Sequence, residues 1–146
     1  MFSLRHIGVT VTDMEVSLQL YRDYFNFEVV WDQIEEGPFI DGLSGIKDIK
    51  VRTVKMKDKT SPVMVELLQY ISHPNDNDAN KKEMITKIGC SHFAITVSDL
   101  QKTYTDLCAM GLKFNDKPAL SPDGNAKVAF CRDNDGTLLE LVEQMS

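Results

Sequence analysis

Two short stretches of the chain alternate polar and apolar residues, a pattern that predicts half-buried β-strands. They are residues 6–11 and 92–97, and both begin with a histidine. Apolar residues at helical spacing come next, so a helix is predicted after each strand. The first helix is predicted to end at Asn26 and the second at Gly111, because both residue types tolerate the left-handed conformation that stops a helix.

The start of each helix carries a capping box, in which side chains satisfy the first free N–H groups. Thr12 and Glu15 form this pattern in the first copy, and Ser98 and Gln101 form it in the second. The predicted apolar face of the first helix consists of Val16, Leu18, Leu20, Tyr21, Tyr24 and Phe25. This helix is therefore expected to cover one face of a sheet.

Further strand-like stretches follow each helix and complete two modules. They span 27–33, 49–56 and 62–70 in the first module, and 112–115, 126–132 and 137–143 in the second. Gly37, Pro38, Gly42 and Gly45 mark a longer loop inside the first module, and 133–136 is predicted to be a hairpin turn in the second. The order of elements is βαβββ in both modules, which predicts an α+β fold.

The two modules also repeat residue by residue. Residues 6–13 and 92–99 are 86 positions apart (92 − 6), and four of their eight residues are identical. Near the module ends, 64–68 falls on 138–142 at an offset of 74 (138 − 64). Both matches in the same order indicate a duplication. We expect a first module over 1–73, a polar linker over 74–88 and a second module over 89–146.

One histidine and one glutamate recur at matching places in the two modules. Because strand side chains alternate between faces, His6 and Glu66 are expected to lie off the face that the helix covers, as are His92 and Glu140. Both glutamates are flanked by apolar residues, where an ionised carboxylate is costly unless it is paired or bound to a metal. Two imidazoles and two carboxylates suit one divalent ion, namely Zn²⁺, Ni²⁺, Co²⁺ or Mn²⁺.

Each of these residues taken alone has a simpler interpretation. A histidine at a strand start is more often packed or half-exposed than bound to a metal, and a glutamate can pair with Lys50 or Arg132. The repeat favours the metal site, because a structural role does not predict histidine and glutamate at equivalent positions in both copies. Arg52 and Arg132 are candidates for orienting an anionic substrate, with a solvated charge as the alternative.

Charge and composition narrow the class of protein further. The 146 residues carry a formal net charge of −6, which argues against a nucleic-acid partner, because phosphate binding needs a basic face. No apolar run approaches the length of a membrane span, and the first residues have no secretory signal pattern. The three cysteines are far apart without CxxC spacing, so we expect reduced core thiols in a cytoplasmic protein.

The chain resembles the vicinal oxygen chelate superfamily, which includes glyoxalase I, methylmalonyl-CoA epimerase, bleomycin- and fosfomycin-resistance proteins and extradiol dioxygenases. The resemblance covers nearly the whole chain and is carried by HIGVTVTDMEVSLQLYRDYFNF, VMVELLQY, GCSHFAITVSDL and CRDNDGTLLELVE. It implies that two modules form an incomplete barrel around the metal, with His6, Glu66, His92 and Glu140 as ligands. Modules pair within one chain or swap between two in this superfamily, and we expect a homodimer.

The resemblance also implies an activity, that of a metal-dependent lyase or isomerase of glyoxalase I or epimerase type. Such an enzyme removes a proton from a small chelated substrate with two adjacent oxygens, through an enediolate. Glu140 is expected to be the base, with Glu66 as its partner by pseudo-symmetry. The alternative is a drug-binding or resistance protein of the same fold without this activity. Glyoxalase I holds glutathione through an arginine and an asparagine where Thr10 and Tyr70 stand here, so glutathione is not implied.

Overall fold

The computed structural model divides the chain into two units, residues 1–77 and 78–146. It describes residues 1, 3–74, 85–86 and 88–146. The predicted linker, 74–88, lies mostly outside the described residues, and the boundary between the units falls inside it.

The described part of the first unit is built from strands and short helices. In chain order these are β1 (His6–Thr10), α1 (Met14–Leu18, continued by a π-helical segment Gln19–Tyr24), β2 (Glu28–Glu36), α2 (Pro38–Ser44), β3 (Lys50–Lys57) and β4 (Met64–Tyr70). Strands β1 to β4 and helix α1 lie within a few residues of their predicted positions.

The described part of the second unit has one longer helix. Its elements are β5 (Phe93–Thr96), α3 (Leu100–Ala109), β6 (Lys113–Phe114), β7 (Ala119–Leu120), β8 (Ala126–Arg132) and β9 (Leu138–Gln144). The short strand β7 was not predicted. It pairs with β8 through Ala119 and Leu120.

Both sheets have the same strand order. The first runs β1–β4–β3–β2 and the second β5–β9–β8–β6. In each, the opening and closing strands are parallel neighbours, and the other pairs are antiparallel. Neither sheet closes into a barrel through the pairings of the described residues. The arrangement confirms the predicted α+β fold and its repeated module.

One face of each sheet packs against a helix. In the first unit, Leu67 of β4 and Val54 of β3 are fully buried, and α1 contacts β4. In the second unit, Leu139 and Leu141 of β9 are fully buried, and α3 contacts β8 and β9. Since side chains alternate along a strand, the residues between these positions point to the opposite face of the sheet.

The helix caps lie one residue later than predicted. The carboxylate of Asp13 accepts hydrogen bonds from the backbone N–H groups two and three residues later, and that of Asp99 accepts one from the N–H three residues later. Both aspartates have the extended backbone of an N-cap residue. The prediction that Thr12 and Ser98 cap the helices is therefore wrong.

We expect the substitution Asp99→Ala to lower the free energy of unfolding by about 1 kcal/mol, because it removes the acceptor of a helix N–H. Ser98→Ala is the matched control, since Ser98 is exposed and adjacent. Its effect should stay within about 0.5 kcal/mol. Urea unfolding followed by circular dichroism measures both, and equal effects would contradict the assignment of the cap to Asp99.

Residues Pro38–Ser44 form helix α2 where a loop was predicted. Pro38 occupies the first turn of α2, where a missing N–H costs no hydrogen bond. Gly45 ends the helix in the left-handed conformation, with φ of 72°. The same glycine and proline that suggested a loop therefore begin and end a short helix.

The first helix keeps its predicted apolar face except at Val16: Leu18, Leu20 and Tyr21 are buried, and Tyr24 and Phe25 are half-buried. Its second half is π-helical, and the N–H of Phe25 donates to the carbonyl of Leu20, five residues earlier, at 2.9 Å. Val16 is exposed, whereas Met14, which was not predicted to face the core, is buried. The helix still ends at Asn26 as predicted, with φ of 60°.

The cysteines occupy two kinds of environment, and all three are free thiols. Cys131 is buried, and this burial raises the pKa of its thiol to about 12. Cys90 and Cys108 are exposed. The prediction of core thiols is correct for Cys131 and wrong for the other two.

Candidate metal centre

His6 and Glu66 come together on neighbouring strands of the first unit. Strands β1 and β4 are parallel, and Glu66 is paired with Gly8. His6 is two residues before Gly8, so its side chain lies on the same face of the sheet as that of Glu66. The Nε2 atom of His6 is 3.7 Å from Oε2 of Glu66. Only 12% of the Glu66 side chain is exposed, so this carboxylate is largely removed from water.

The second unit repeats the arrangement. Glu140 is paired with Ala94 on the parallel strand β5, and His92 lies two residues before Ala94. The Nε2 atom of His92 is 3.3 Å from Oε2 of Glu140, and its Nδ1 atom is 2.7 Å from the hydroxyl of Ser91. When Nδ1 carries the ring proton, it donates a hydrogen bond to the hydroxyl oxygen of Ser91, and Nε2 presents its lone pair towards Glu140.

A second contact is repeated three residues after each glutamate. The side-chain oxygen of Gln69 accepts a hydrogen bond from the N–H of Met14 at the start of α1, at 2.9 Å. A carboxylate oxygen of Glu143 accepts one from the N–H of Leu100 at the start of α3, at 2.8 Å. Because a separation of three residues reverses the face of a strand, these contacts direct the two metal-ligand candidates away from the helix.

The spacing within both pairs fits two ligands of one metal ion. Nitrogen and oxygen ligands lie about 2.0–2.2 Å from such an ion, so two of them at tetrahedral or similar angles are roughly 3–3.6 Å apart. The observed separations of 3.7 and 3.3 Å are close to this range. Each pair taken by itself therefore offers two donor atoms at a spacing that suits a divalent cation.

Lys55 joins the first pair, a contact that sequence reasoning missed. Its Nζ atom lies 3.6 Å from the same oxygen of Glu66 that faces His6. Lys55 stands directly opposite Glu66 in the β3–β4 ladder, so the register of these strands is the signal that would have revealed it.

Within either unit taken by itself, the described residues hold no group of three or more His, Cys, Asp or Glu side chains arranged to bind a metal ion.

The residue opposite the glutamate is different in the second unit. Phe130 is paired with Glu140 in the β8–β9 ladder. Its ring meets that of His92 edge-on, with centroids 5.2 Å apart. The two modules thus share the His–Glu pair, but an ammonium faces the carboxylate in one and an aromatic ring stands opposite it in the other.

Arg52 lies on the other face of the sheet from Glu66. Its guanidinium donates hydrogen bonds to Asp32 at 3.0 and 2.8 Å and to Glu15 at 2.5 Å. The bonds to Asp32 and then Glu15 raise the pKa of Arg52, and the same contact with Arg52 lowers the pKa of Asp32. This placement does not support the prediction that Arg52 orients a substrate beside Glu66, and we assign it a structural role between α1 and the sheet.

Arg132 shares the face of Glu140, at the end of β8. It is paired with Leu138, two residues before Glu140, and its Nη1 atom donates to the carbonyl of Gly136 at 2.9 Å. The predicted hairpin turn is confirmed by the N–H of Gly136, which donates to the carbonyl of Asp133 at 3.1 Å. Substrate binding by Arg132 stays a prediction.

Comparisons with known proteins agree with this architecture. Residues 3–141 match the family described as the Glyoxalase/Bleomycin resistance protein/Dioxygenase superfamily. The uncharacterized protein YraH of Bacillus subtilis (strain 168) is 25% identical over 144 residues, which cover 97% of this chain and 98% of that protein. A glyoxalase family protein from Bacillus cereus, known from its crystal structure, has a TM-score of 0.90 at 14% identity, with 100% and 96% of the chains covered. Trypanothione-dependent glyoxalase I of Leishmania major has a TM-score of 0.65 at 17% identity, covering 98% and 87%.

The fold and the repeated pairs define a protein of the glyoxalase class. Because the family match extends over nearly the whole chain, this protein belongs to the Glyoxalase/Bleomycin resistance protein/Dioxygenase superfamily, and the resemblance is confirmed. The likeness to the two solved structures shows the fold alone. In the part of the chain that is described, no helix has both the length and the apolar character needed to cross a membrane.

Proposed function

We propose that this protein is a metal-dependent lyase or isomerase that moves a proton at a carbon beside two adjacent oxygens of a small substrate. The observation that carries the proposal is the His–Glu pair itself, which recurs at equivalent strand positions with Nε2–Oε2 separations of 3.7 and 3.3 Å. A repeated structural ion pair would not require the histidine nitrogen and the carboxylate to be so similarly placed in both copies.

The proposed ligands are His6, Glu66, His92 and Glu140, which together would hold one divalent ion. Zn²⁺, Ni²⁺, Co²⁺ and Mn²⁺ all accept this set of nitrogen and oxygen donors. Bound there, the ion would supply Lewis-acid stabilisation of negative charge on the substrate oxygens. The remaining chemistry, which is the removal and return of a proton, falls to the side chains of the protein.

Glu140 is the better candidate for the base. Its side chain is 25% exposed, about twice the 12% of Glu66, so a substrate carbon can approach it more easily. The oxygen of Glu66 that faces its histidine also faces the ammonium of Lys55, whereas the residue opposite Glu140 is the apolar Phe130. Glu140 can therefore take up a proton and return it without competition from a lysine for its carboxylate.

A second candidate function is the binding of a planar drug without turnover. The observation that favours it is Trp31, whose side chain is 45% exposed on a strand next to the one that carries Lys55. Exposed aromatic rings serve as stacking surfaces for flat ligands. The family description also includes bleomycin resistance proteins.

Proton exchange separates these two functions. The full chain is loaded with each of the four metals and supplied with hydroxyacetone or with pyruvate in deuterated water, and exchange at the carbon beside the carbonyl is followed by NMR. We expect about one metal per chain and exchange that EDTA abolishes. His92→Ala should lose both, whereas His73→Ala, which alters an exposed histidine bonded to Ser72, should keep both. Metal content unchanged in His92→Ala would contradict the proposed centre, and full metal without exchange would favour the drug-binding function.

A further inference from the structure

Lys55 occupies an unusual electrostatic position on the face that carries Glu66. Its ammonium is 3.6 Å from Oε2 of Glu66, and Nε2 of His6 is 3.7 Å from the same oxygen. The Lys55 side chain is 29% exposed, so water solvates it only in part. One carboxylate oxygen is therefore shared between a lysine and a proposed metal ligand.

A β-bulge brings the only tryptophan of the chain next to this lysine. The β2–β3 register shifts between Val29 and Trp31, which leaves Val30 as the extra residue. If the strand had no bulge, Val30 would stand opposite Lys55, and Trp31 would point to the helix-covered face. Instead, Trp31 is paired with Lys55, and the ammonium lies 5.7 Å from the centroid of the Trp31 rings.

Metal binding through Glu66 would deprive Lys55 of its counter-ion. The carboxylate would then be shared with a divalent cation, and the ammonium would lie next to that like charge in a partly desolvated place. Two other carboxylates share this face: Glu28 stands opposite Lys57, two residues from Lys55, and Glu35 stands opposite Val51, four residues from Lys55, where it already accepts a hydrogen bond from Thr53 at 2.6 Å. An anion supplied by the substrate would restore the balance of charge.

We propose that Lys55 and Trp31 form the anion-binding element of this site, and that the substrate is a small carboxylate with a neighbouring oxygen, such as a 2-hydroxy or 2-oxo acid. This inference rests on the proposed metal centre. Lys55 contacts the carboxylate of the substrate, and the ring of Trp31 packs against its flat portion. The second unit has Phe130 at the position equivalent to Lys55, so the anion is recognised by the first unit.

Lactate and lactamide are a suitable pair of probes. They have the same shape and the same adjacent oxygens, but only lactate is charged. Trp31 is the single tryptophan and lies beside Lys55, so its fluorescence reports binding at this place. The full chain is titrated with each probe at saturating zinc.

The wild-type protein is expected to bind lactate at least about tenfold more tightly than lactamide, since a hydrogen bond to a charged group contributes this much or more. Lys55→Met should lower the preference for lactate about tenfold, to the part that the attraction between the carboxylate and the zinc ion contributes by itself, and Lys55→Arg should keep most of it. Lys50→Met is the matched control, because Lys50 is on the same strand and pairs with Glu36 at 3.4 Å, but on the opposite face. Equal binding of the two probes by the wild type, or a preference that Lys55→Met leaves unchanged, would overturn the proposal.

Zinc affinity provides a second readout that needs no substrate. In a competition with a chromogenic chelator and without lactate, Lys55→Met should bind zinc about tenfold more tightly than wild type, because a like charge is removed from beside Glu66. Lys50→Met should not differ from wild type. Unchanged affinity in Lys55→Met overturns the anion-binding element while leaving the metal centre intact. A wild-type chain that binds no zinc overturns the metal centre itself, and this inference with it.

Discussion

Glu140→Gln is expected to slow proton exchange into the substrate by about 10²- to 10⁴-fold, the usual contribution of a positioned general base. Glutamine has the size of glutamate and keeps an oxygen that can face His92, but it cannot take up a proton at neutral pH. Exchange into hydroxyacetone in deuterated water, measured on metal-loaded protein, gives the rate. The metal content of the same sample shows whether the ion is still bound.

Glu143→Gln is the matched control for this experiment. Glu143 is three residues further along β9 and faces the helix, where it accepts a hydrogen bond from Leu100. Glutamine can make the same bond, as Gln69 does at the equivalent position of the first unit, so the control should keep its exchange rate. A Glu140→Gln protein that holds its metal and exchanges protons at the wild-type rate would exclude Glu140 as the base.

The positions of the four proposed ligands could be predicted from the sequence because each of them recurs in both copies of the duplicated module. A lone histidine or glutamate in an apolar strand is ambiguous, but two offsets, 86 for the histidines and 74 for the glutamates (92 − 6 and 140 − 66), pair them one by one. The alternation of strands then gives the face on which they lie. The structure shows each His–Glu pair within its own unit, and their joint binding of an ion remains the proposal.

The residues that stand opposite the two glutamates could not be predicted from the sequence in the same way. Arg52 and Lys55 are three residues apart on β3 and must face opposite ways, but which of them faces Glu66 depends on the register between β3 and β4. Trp31 is a harder case, because a one-residue bulge in β2 reverses the face it would otherwise occupy. No local pattern of apolar and polar residues predicts that bulge.

Helix starts show a different kind of limit. Each predicted cap stands directly before an aspartate, so two adjacent residues with capping side chains compete for one position. The capping-box pattern selected Thr12 and Ser98, whereas the backbone places Asp13 and Asp99 at the N-cap. Local sequence therefore located both helix starts to within one residue, and the extended backbone conformation of the aspartates decided between neighbours.

The two units differ in the residue that stands opposite the glutamate, and this difference has a physical consequence. Two identical halves would surround a metal with equivalent neighbours and would give a substrate no reason to bind in one orientation. Lys55 in one unit and Phe130 in the other break that equivalence. Under the proposed function, a charged substrate group would be attracted to Lys55, and Glu140 would take up the proton.

Leu139→Ala is expected to lower the free energy of unfolding by about 2–5 kcal/mol, the range for a leucine removed from a packed core. Leu139 is fully buried and lies between Phe93 and Cys131 in the sheet. With Leu141 it anchors the strand on both sides of Glu140, so the substitution should also loosen that carboxylate. Leu120→Ala is the control, since Leu120 is 57% exposed and its loss should cost less than about 0.5 kcal/mol.

Urea unfolding followed by circular dichroism measures both leucine variants, with metal removed by EDTA so that binding does not mask the loss. Zinc affinity is then measured separately, below the temperature at which Leu139→Ala unfolds. We expect weaker zinc binding in Leu139→Ala than in Leu120→Ala, because the two buried leucines hold the strand that presents Glu140. Similar unfolding free energies for the two variants would show that β9 is not anchored through Leu139, and the position of Glu140 would need another support.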